Sequence, residues 1–531
     1  MTNPEYIKQF LIHNKIIFPT NIHDNVMGGF QNYGPFGLKI KNNVINVWRN
    51  LFVEQDTNVF EIESPVISPN CVLTRSGHVS KFNDLGIVFY NKNTSQVKDV
   101  KRADHFVEDK AQELKLDLID TMSEEAIRKF MDGNKLYDLE NESIDNLDEV
   151  LYLRPEIAQT IFVEFKQFLD YSKDKLPFGI AQVGKSFRNE IPDKPFTRLR
   201  EFTQAEVEFF FNPFESFSFE VPTELTNQEI WILSSHMQTN SQTQIKIKLG
   251  KLPDYVQDPI VLKYVIKLFE FAKSIGLNMN KIRFRQHKPD ERAHYAKDCW
   301  DLESDIFGKW LEIAGLAHRG NYDLTVHNKN DLFCIRKNNK GINKFKISPN
   351  VKHIWKNWSP DEAKKILSES KPFITDSVDS IDKNLWAVEN FVQYEYIVPS
   401  VVEPSIGIDR VIYTLVVHNL HLREDGKRPY LLLNSNCQVW NLMLAQLSNH
   451  PDLMIRFNEF ADKLKSTKLT VFTDLSSTSI GKRYTRADEL GIPFTITIDF
   501  DTLIDSTVTI RSLEDMSQQR YHIDQAIKLI S

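Results

Sequence analysis

The stretch Phe187–Phe210, FRNEIPDKPFTRLREFTQAEVEFF, constrains the fold more than any other because it reads as a β-hairpin with one chemically graded face. Strand side chains alternate with a period of two. Arg198, Arg200, Phe202, Gln204, Glu206 and Glu208 therefore share one side, with Thr203, Ala205, Val207 and Phe209 opposite. That side passes from cationic through aromatic to anionic. On the preceding strand Arg188 and Glu190 share a face, and Ile191-Pro192-Asp193-Lys194-Pro195 supplies turn formers between the two. A triphosphate, a purine and an ammonium group laid end to end would meet the three zones in order. A solvated strand of mixed charge is the plain alternative.

The chain around this hairpin is large, with 531 residues of which 41% are hydrophobic. A chain of this size divides into roughly two to four domains. No apolar run approaches the ~18 residues of a membrane span. The N-terminus lacks a secretory apolar region, and the first arginine, Arg49, comes too late for an Arg-rich transit peptide. Cytoplasmic residence without a membrane partner is expected. Cys71, Cys299, Cys334 and Cys437 are scattered without a C-x-x-C pair, so neither a disulfide framework nor a zinc ribbon is indicated. His287, His294 and Cys299 have no usual zinc spacing, and no zinc is expected. A net charge of −7 argues against indiscriminate polyanion binding but leaves local basic patches free to meet a nucleic acid.

Along the chain, a helix is expected over Leu38–Phe52, then a strand Val59–Glu63 and a break at Pro65. Charged runs such as SEEAIRK make 109–148 a short inserted helical segment. A second helical stretch is expected over 222–280, around PIVLKYVIKLFEFAKSIG, and the Lys- and Asn-rich 328–390 reads as another insertion. Tyr394–Val402 is rich in β-formers, Pro404 ends it, and Ser405–Arg410 opens the apolar helix Val411–Val417. A strand entering a helix through Gly407 gathers backbone N–H groups and the helix dipole at one point, and Arg410 adds a full charge to this natural anion site. An ordinary strand-to-helix turn with a surface arginine is the competing meaning. From about 428 onward, the helix Pro451–Leu464 alternates with strands Leu469–Thr473 and Phe494–Ile498, which suggests an α/β domain of about 100 residues.

The pattern FRNE…R-x-R-E-F-x-x-x-E-x-E resembles motif 2 of class II aminoacyl-tRNA synthetases, in the form found in dimeric glycyl-tRNA synthetases of the eukaryotic and archaeal type. The likeness runs nearly end to end through YGPFG (Tyr33–Gly37), SGH-x-x-KF-x-D (Ser76–Asp84), RADH (Arg102–His105) and YLRPE-x-AQ (Tyr152–Gln159). It continues through RFRQH (Arg283–His287), AHYA-x-DCWD (Ala293–Asp301), YDL-x-x-H (Tyr322–His327), VVEPS-x-G-x-x-R (Val401–Arg410) and SIGKRY-x-RADE-x-GIPF (Ser479–Phe494). Chance does not produce so many motifs in the family's order.

The resemblance implies an α+β catalytic core, an antiparallel class II sheet flanked by helices, with helical insertions and a C-terminal α/β anticodon-binding domain. Its parts would be 1–108 with motif 1, the insertion 109–148, the core 149–327 with motif 2, the insertion 328–390, motif 3 over 391–427, and the anticodon-binding domain 428–531. It also implies a homodimer that activates glycine with ATP and magnesium and charges tRNA(Gly). By similarity, Arg188 clamps the α-phosphate and the substrate carboxylate, and Arg198 and Arg410 hold the outer phosphates. Phe202 stacks on adenine with Asn189 and Glu190 nearby, Glu312 helps to bind magnesium, and Arg319 serves the substrate site. Glu156, Glu206, Glu403 and Ser405 match the family's ammonium-binding set. Three carboxylates around one small cation exclude larger amino acids by clash, so no editing domain is needed. Lys482, Arg483 and Arg486 supply charge toward tRNA phosphates, although a solvated helix face is a fair alternative for them. Departures from the family are His318 where Asp is usual, Ile157 and Thr160 in RPEIAQT, and a strand Tyr430–Cys437 opening the last domain without its usual proline. A non-catalytic synthetase-like nucleic-acid-binding subunit would have lost these side chains, and a class II enzyme for another amino acid would lack EPS and AHYA-x-DCWD.

Overall fold

The computed structural model describes residues 3–18, 29–78, 86–90, 97–102, 151–188, 196–293, 295–328, 335–338, 344–391, 394–424, 426 and 428–530. The expected insertion 109–148 and the residues Asn189, Glu190, His294 and Cys334 lie outside the described residues.

One nine-stranded sheet organises the larger part of the chain. Its spatial order is Ile245–Lys248, Glu229–Leu233, Ile282–Gln286, Asp298–Ile306, Lys309–Gly320, Ser400–Gly407, Glu201–Phe211, Phe178–Phe187 and Val59–Ile62. Neighbours run antiparallel except where Glu229–Leu233 meets Ile282–Gln286 and at the Val59–Ile62 edge. The sheet corrects the reading of 222–280 as helical. Ile230 and Ile232 alternate inward along one of its strands there, a signal too short to compete with the apolar run of the neighbouring helix Pro259–Ser274.

That helix starts where Asp258 accepts hydrogen bonds from the backbone N–H groups of Ile260 (2.8 Å) and Val261 (3.1 Å), with Pro259 at its first position. It is buried almost all round because it packs between the sheet and the helix Pro35–Arg49. The latter buries Phe36, Ile40, Val44, Ile45 and Trp48, a helical repeat, and runs on into a single wide turn, Asn50–Glu54. Its start needs bare glycines. A Cβ on Gly34 or Gly37 would lie 2.0 Å from the carbonyl oxygen of Lys15 or Ile16.

The hairpin forms, with Phe178 opposite Phe210 and Phe187 opposite Glu201. The expected turn Ile191–Pro195 lies outside the described residues. The ladder ends at Phe187 and Glu201, followed by one more bond from the Arg188 N–H to the Arg200 carbonyl (2.8 Å), so Arg198 and Arg200 precede the strand rather than lie along it. The cationic zone is therefore loop, where the chain is freed from strict alternation.

Residues 344–391 make a separate small unit, with Lys344–Pro349 between Phe373–Thr375 and Trp386–Phe391 in a three-stranded sheet beside two helices. The C-terminal part holds a five-stranded sheet ordered Val471–Asp474, Leu442–Gln446, Phe494–Ile498, Thr507–Ser512 and Gln518–His522, parallel over the first three strands. Tyr430–Cys437 does not open it. Pro429–Leu431 pairs with Leu420–Leu422, and Asn434 then turns the chain by accepting the N–H of Asn436 (3.0 Å). This part is joined to the core through Trp440, whose ring stacks on Phe36 at 5.4 Å. Among the described residues no helix is long and apolar enough to cross a membrane.

Candidate active site

Three adjacent strands, Lys309–Gly320, Ser400–Gly407 and Glu201–Phe211, bring the chemistry together. Their register sets Ser405 opposite Glu206 and Glu403 opposite Ala317. A cavity of about 410 Å³ opens over them, with Glu156, Glu206, Glu403 and Ser405 lining one end. Arg188, Arg198, Phe202, Glu312 and Arg410 line the rest.

Each of these side chains is held by its neighbours. Arg154, in the same RPE run as Glu156, donates to the carbonyls of Lys185 (2.8 Å), Ser64 (3.1 Å) and Pro65 (3.0 Å), which pins the loop so that Glu156 reaches the cavity. Gly184 makes room for it, since a Cβ there would lie 2.3 Å from the Arg154 guanidinium. Arg188 donates to the carbonyl of Pro155 (3.1 Å), and its guanidinium lies over the Phe202 ring at 5.3 Å. Arg410 donates to the carbonyls of Thr197 and Glu312 (both 2.9 Å) and meets the Glu312 carboxylate at 3.2 Å. The preceding residue, Asp409, fixes the turn by accepting from the Tyr33 hydroxyl (2.5 Å) and the Thr203 N–H (2.6 Å). The YGPFG motif thus acts behind the cavity wall.

Arg319 departs from expectation. It is only 1% exposed and does not line the cavity. The strand register slips between His318 and Gly320, and Arg319 lies buried beneath the lining carboxylates Glu156 and Glu403. There it donates to Glu403 and, through two nitrogens at 2.8 Å each, to Asp323, with Glu156 3.6 Å away and the Tyr295 ring 4.1 Å over its face. It cannot reach a nucleotide; it supplies charge to the carboxylates. His318 points the other way, against Phe211 and 3.6 Å from Asp258, so its departure from the family pattern leaves the cavity lining untouched.

The anionic end contains more than the sequence singled out. Gln159 donates to Glu156 (2.9 Å) and Asp323 (3.1 Å) and shares a 2.8 Å bond with His327. Glu208 is fully buried beside Glu206 and Glu403, with carboxylate oxygens of all three within 4.8 Å of one another. The period-two pattern put Glu208 on this face, but nothing in the sequence marked it as buried. The carboxyls behave differently from one another. Burial pushes Glu156 up, but His78 at 3.3 Å, Arg319 and Gln159 outweigh this and hold it well below the usual range. Burial, Glu403 and Glu156 push Glu206 up to about 8, against Ser405, whose hydroxyl donates to it at 2.5 Å. Burial and Glu403 lift Glu208 well above the ordinary value. At the other side of the cavity His287 is raised by its 2.7 Å bond to Asp301, and burial pushes the Cys299 thiol to about 12.

The expected tRNA contacts divide. Lys482 is exposed, and Arg486 is partly exposed while paired with Asp474. Arg483 is buried and donates to the carbonyls of Gln446 (2.6 Å) and Thr478 (3.2 Å), so it braces the fold and cannot touch RNA. Both the tRNA-directed reading and the solvated-face alternative put this side chain outward, whereas it turns inward.

Comparison with known proteins agrees with this architecture. Residues 137–235 match the tRNA synthetase class II core domain (G, H, P, S and T), and 443–531 match the anticodon binding domain. Over 98% of this chain and 75% of the other, the fold is similar to that of Giardia lamblia prolyl-tRNA synthetase in complex with prolyl-adenylate, with a TM-score of 0.57 at 14% identity. The glycine–tRNA ligase of Methanothermobacter thermautotrophicus is 35% identical over 94% of each chain. That of Pyrococcus furiosus is 35% identical over 94% of this chain and 93% of the relative. Similarity of this extent, spanning both the core and the anticodon-binding part, establishes that the chain belongs to the glycine–tRNA ligase family of class II aminoacyl-tRNA synthetases.

Proposed function

We propose that this cavity joins glycine to ATP and that the enzyme then passes the glycyl group to the 3′ end of tRNA(Gly). The observation that carries this reading is one cavity lined both by the buried carboxylates Glu156, Glu206 and Glu403 and by the arginines Arg188, Arg198 and Arg410. The glycine carboxylate attacks the α-phosphorus and pyrophosphate leaves, so two anions must be brought together and the charge growing between them stabilised. Arg188, bonded to the Pro155 carbonyl and lying over the Phe202 ring, clamps both anions, its fork suiting carboxylate and phosphate alike. Arg198 and Arg410 hold the outer phosphates, and Phe202 stacks on the purine. Glu156, Glu206, Glu403 and Ser405 receive the ammonium group, leaving no room for a side chain on the α-carbon.

Magnesium accompanies ATP in this reading. Glu312, a half-exposed carboxylate, would supply an oxygen donor to such an ion in exchange for its 3.2 Å contact with Arg410. When bound, the ion neutralises triphosphate charge. Assembly as a homodimer through the motif 1 helix Pro35–Arg49, cytoplasmic residence, and contact of the 428–531 part with the anticodon belong to the same proposal. ATP–pyrophosphate exchange with each of the twenty amino acids is the test. Glycine alone is expected to support exchange, and Arg188→Ala to abolish it. Exchange driven by another amino acid, or near-normal exchange in the variant, overturns the assignment.

A further inference from the structure

Around Glu206 the buried charges do not balance. Glu206 stands opposite Ser405, and Phe209 opposite Val402, so on the same ladder Glu208 falls opposite Glu403. Like charges directly across a sheet repel. The cations nearby are already committed. Arg319, on the strand beyond, is shared among Glu403, Asp323 on the helix Tyr322–His327, and Glu156 in the loop before the helix Ala158–Val163. His78 faces Glu156. Arg154 is spent on backbone carbonyls. Gln204 (2.8 Å) and Ser405 both donate to Oε1 of Glu206, whereas Oε2 of Glu206 and both oxygens of Glu208, all buried, have no hydrogen-bond partner among the described residues. Five carboxyl groups thus share the one guanidinium of Arg319 that is ion-paired among them, with Arg154 acting on Glu206 without a hydrogen bond to it, and an unpaired buried carboxylate is far costlier than a neutral acid.

We propose that the cluster is loaded with protons before the amino acid arrives, that Glu208 stays a neutral acid throughout, and that the substrate's ammonium group expels one proton from Glu206. The O–H bond of the Glu206 acid breaks, the proton goes to solvent, and the carboxylate pairs with an ammonium that keeps its own three protons. No covalent bond of the substrate changes. Glu206 lines the cavity and can exchange its proton, whereas Glu208 lies beneath and cannot meet the ligand. The elevated proton affinity of both groups agrees with these roles. Glycine affinity then rises with pH, by up to about tenfold per unit, and levels off above about 8.

The inference rests on the reading of this end of the cavity as the glycine site, and one experiment separates the two. Glycine is titrated calorimetrically into the full-length protein at pH 7 in phosphate and in Tris, whose heats of ionisation differ. A dependence of the binding heat on buffer equivalent to about one proton released per glycine is expected. Binding with no buffer dependence overturns the proton release while leaving the site intact. Absence of glycine binding in both buffers overturns the site reading and the inference together. Glu208→Gln, a neutral isostere, is expected to bind glycine with the same release. Loss of release with glycine still bound would put the exchangeable proton on Glu208 and overturn its assignment to Glu206.

Discussion

Arg319 serves the anionic end of the cavity by charge from behind, and its removal tests how much of that end is held by one cation. Arg319→Ala leaves Glu403 and Asp323 buried without their partner, an expected loss of about 3–5 kcal/mol. Arg319→Lys recovers only part of it, because an ammonium cannot fork between two carboxylates. Urea midpoints at constant slope measure both, and an alanine variant as stable as the parent would refute the role. Glu206 affects stability with the opposite sign. Its folded-state pKa of about 8 lies above its unfolded value, so its contribution is fully present below the ordinary carboxylate range and is lost as pH rises toward 8. Melting temperature should therefore fall between pH 5 and 8, by at most about 1.4 kcal/mol of stability per unit from this group. Glu206→Gln should flatten that fall and raise the KM for glycine more than that for ATP. Alternation along one strand made Glu206 and Glu208 legible as neighbours. The burial of Arg319 was not legible, because it depends on Asp323, Glu403 and Glu156 meeting it from three separate segments of the chain.

Among the elements, the helix Pro35–Arg49 is tightly specified by its buried face and by the glycines at its start. Its apolar repeat was readable, although the helix starts at Pro35 and not at the expected Leu38; the strand at Val59 was readable too, as was the helix that starts at Ile408, three residues before the expected Val411. The need for bare glycines at its start was not, since it comes from the carbonyl of Ile16, in a separate segment. Gly37→Ala should cost about 1–3 kcal/mol, the range of overpacked sites, even though alanine favours helices. Thermal unfolding checks the sign, and stabilisation would mean that the close approach relaxes freely. The same limit explains the misread stretch 222–280. A buried helix advertises itself over many residues, whereas the strands Glu229–Leu233 and Ile245–Lys248 are only five and four residues long and are defined by pairing with each other and, for the first, with Ile282–Gln286.

For the molecule as a whole, the division into an activating core and a tRNA-facing C-terminal part is not a clean cut. Arg423 donates to the carbonyls of Leu513 and Glu514 (3.0 Å) and meets Asp488 at 3.1 Å, and Trp440 covers Phe36, so deletion from 428 would uncover the core. A surface charge change separates the two activities without that damage. Lys482→Glu should leave glycine-dependent exchange unchanged and reduce tRNA charging severalfold, with weaker salt dependence than the parent. Unaltered charging would remove this helix face from the tRNA contact. The stack of Trp440 on Phe36 also has a consequence during synthesis. Phe36 leaves the ribosome roughly four hundred residues before its cover, which at about 5–20 residues per second is a wait of roughly twenty to eighty seconds. Throughout that interval the nascent chain displays an aromatic ring that its final cover cannot yet reach, which gives chaperones an opportunity and aggregation a foothold on the unfinished polypeptide.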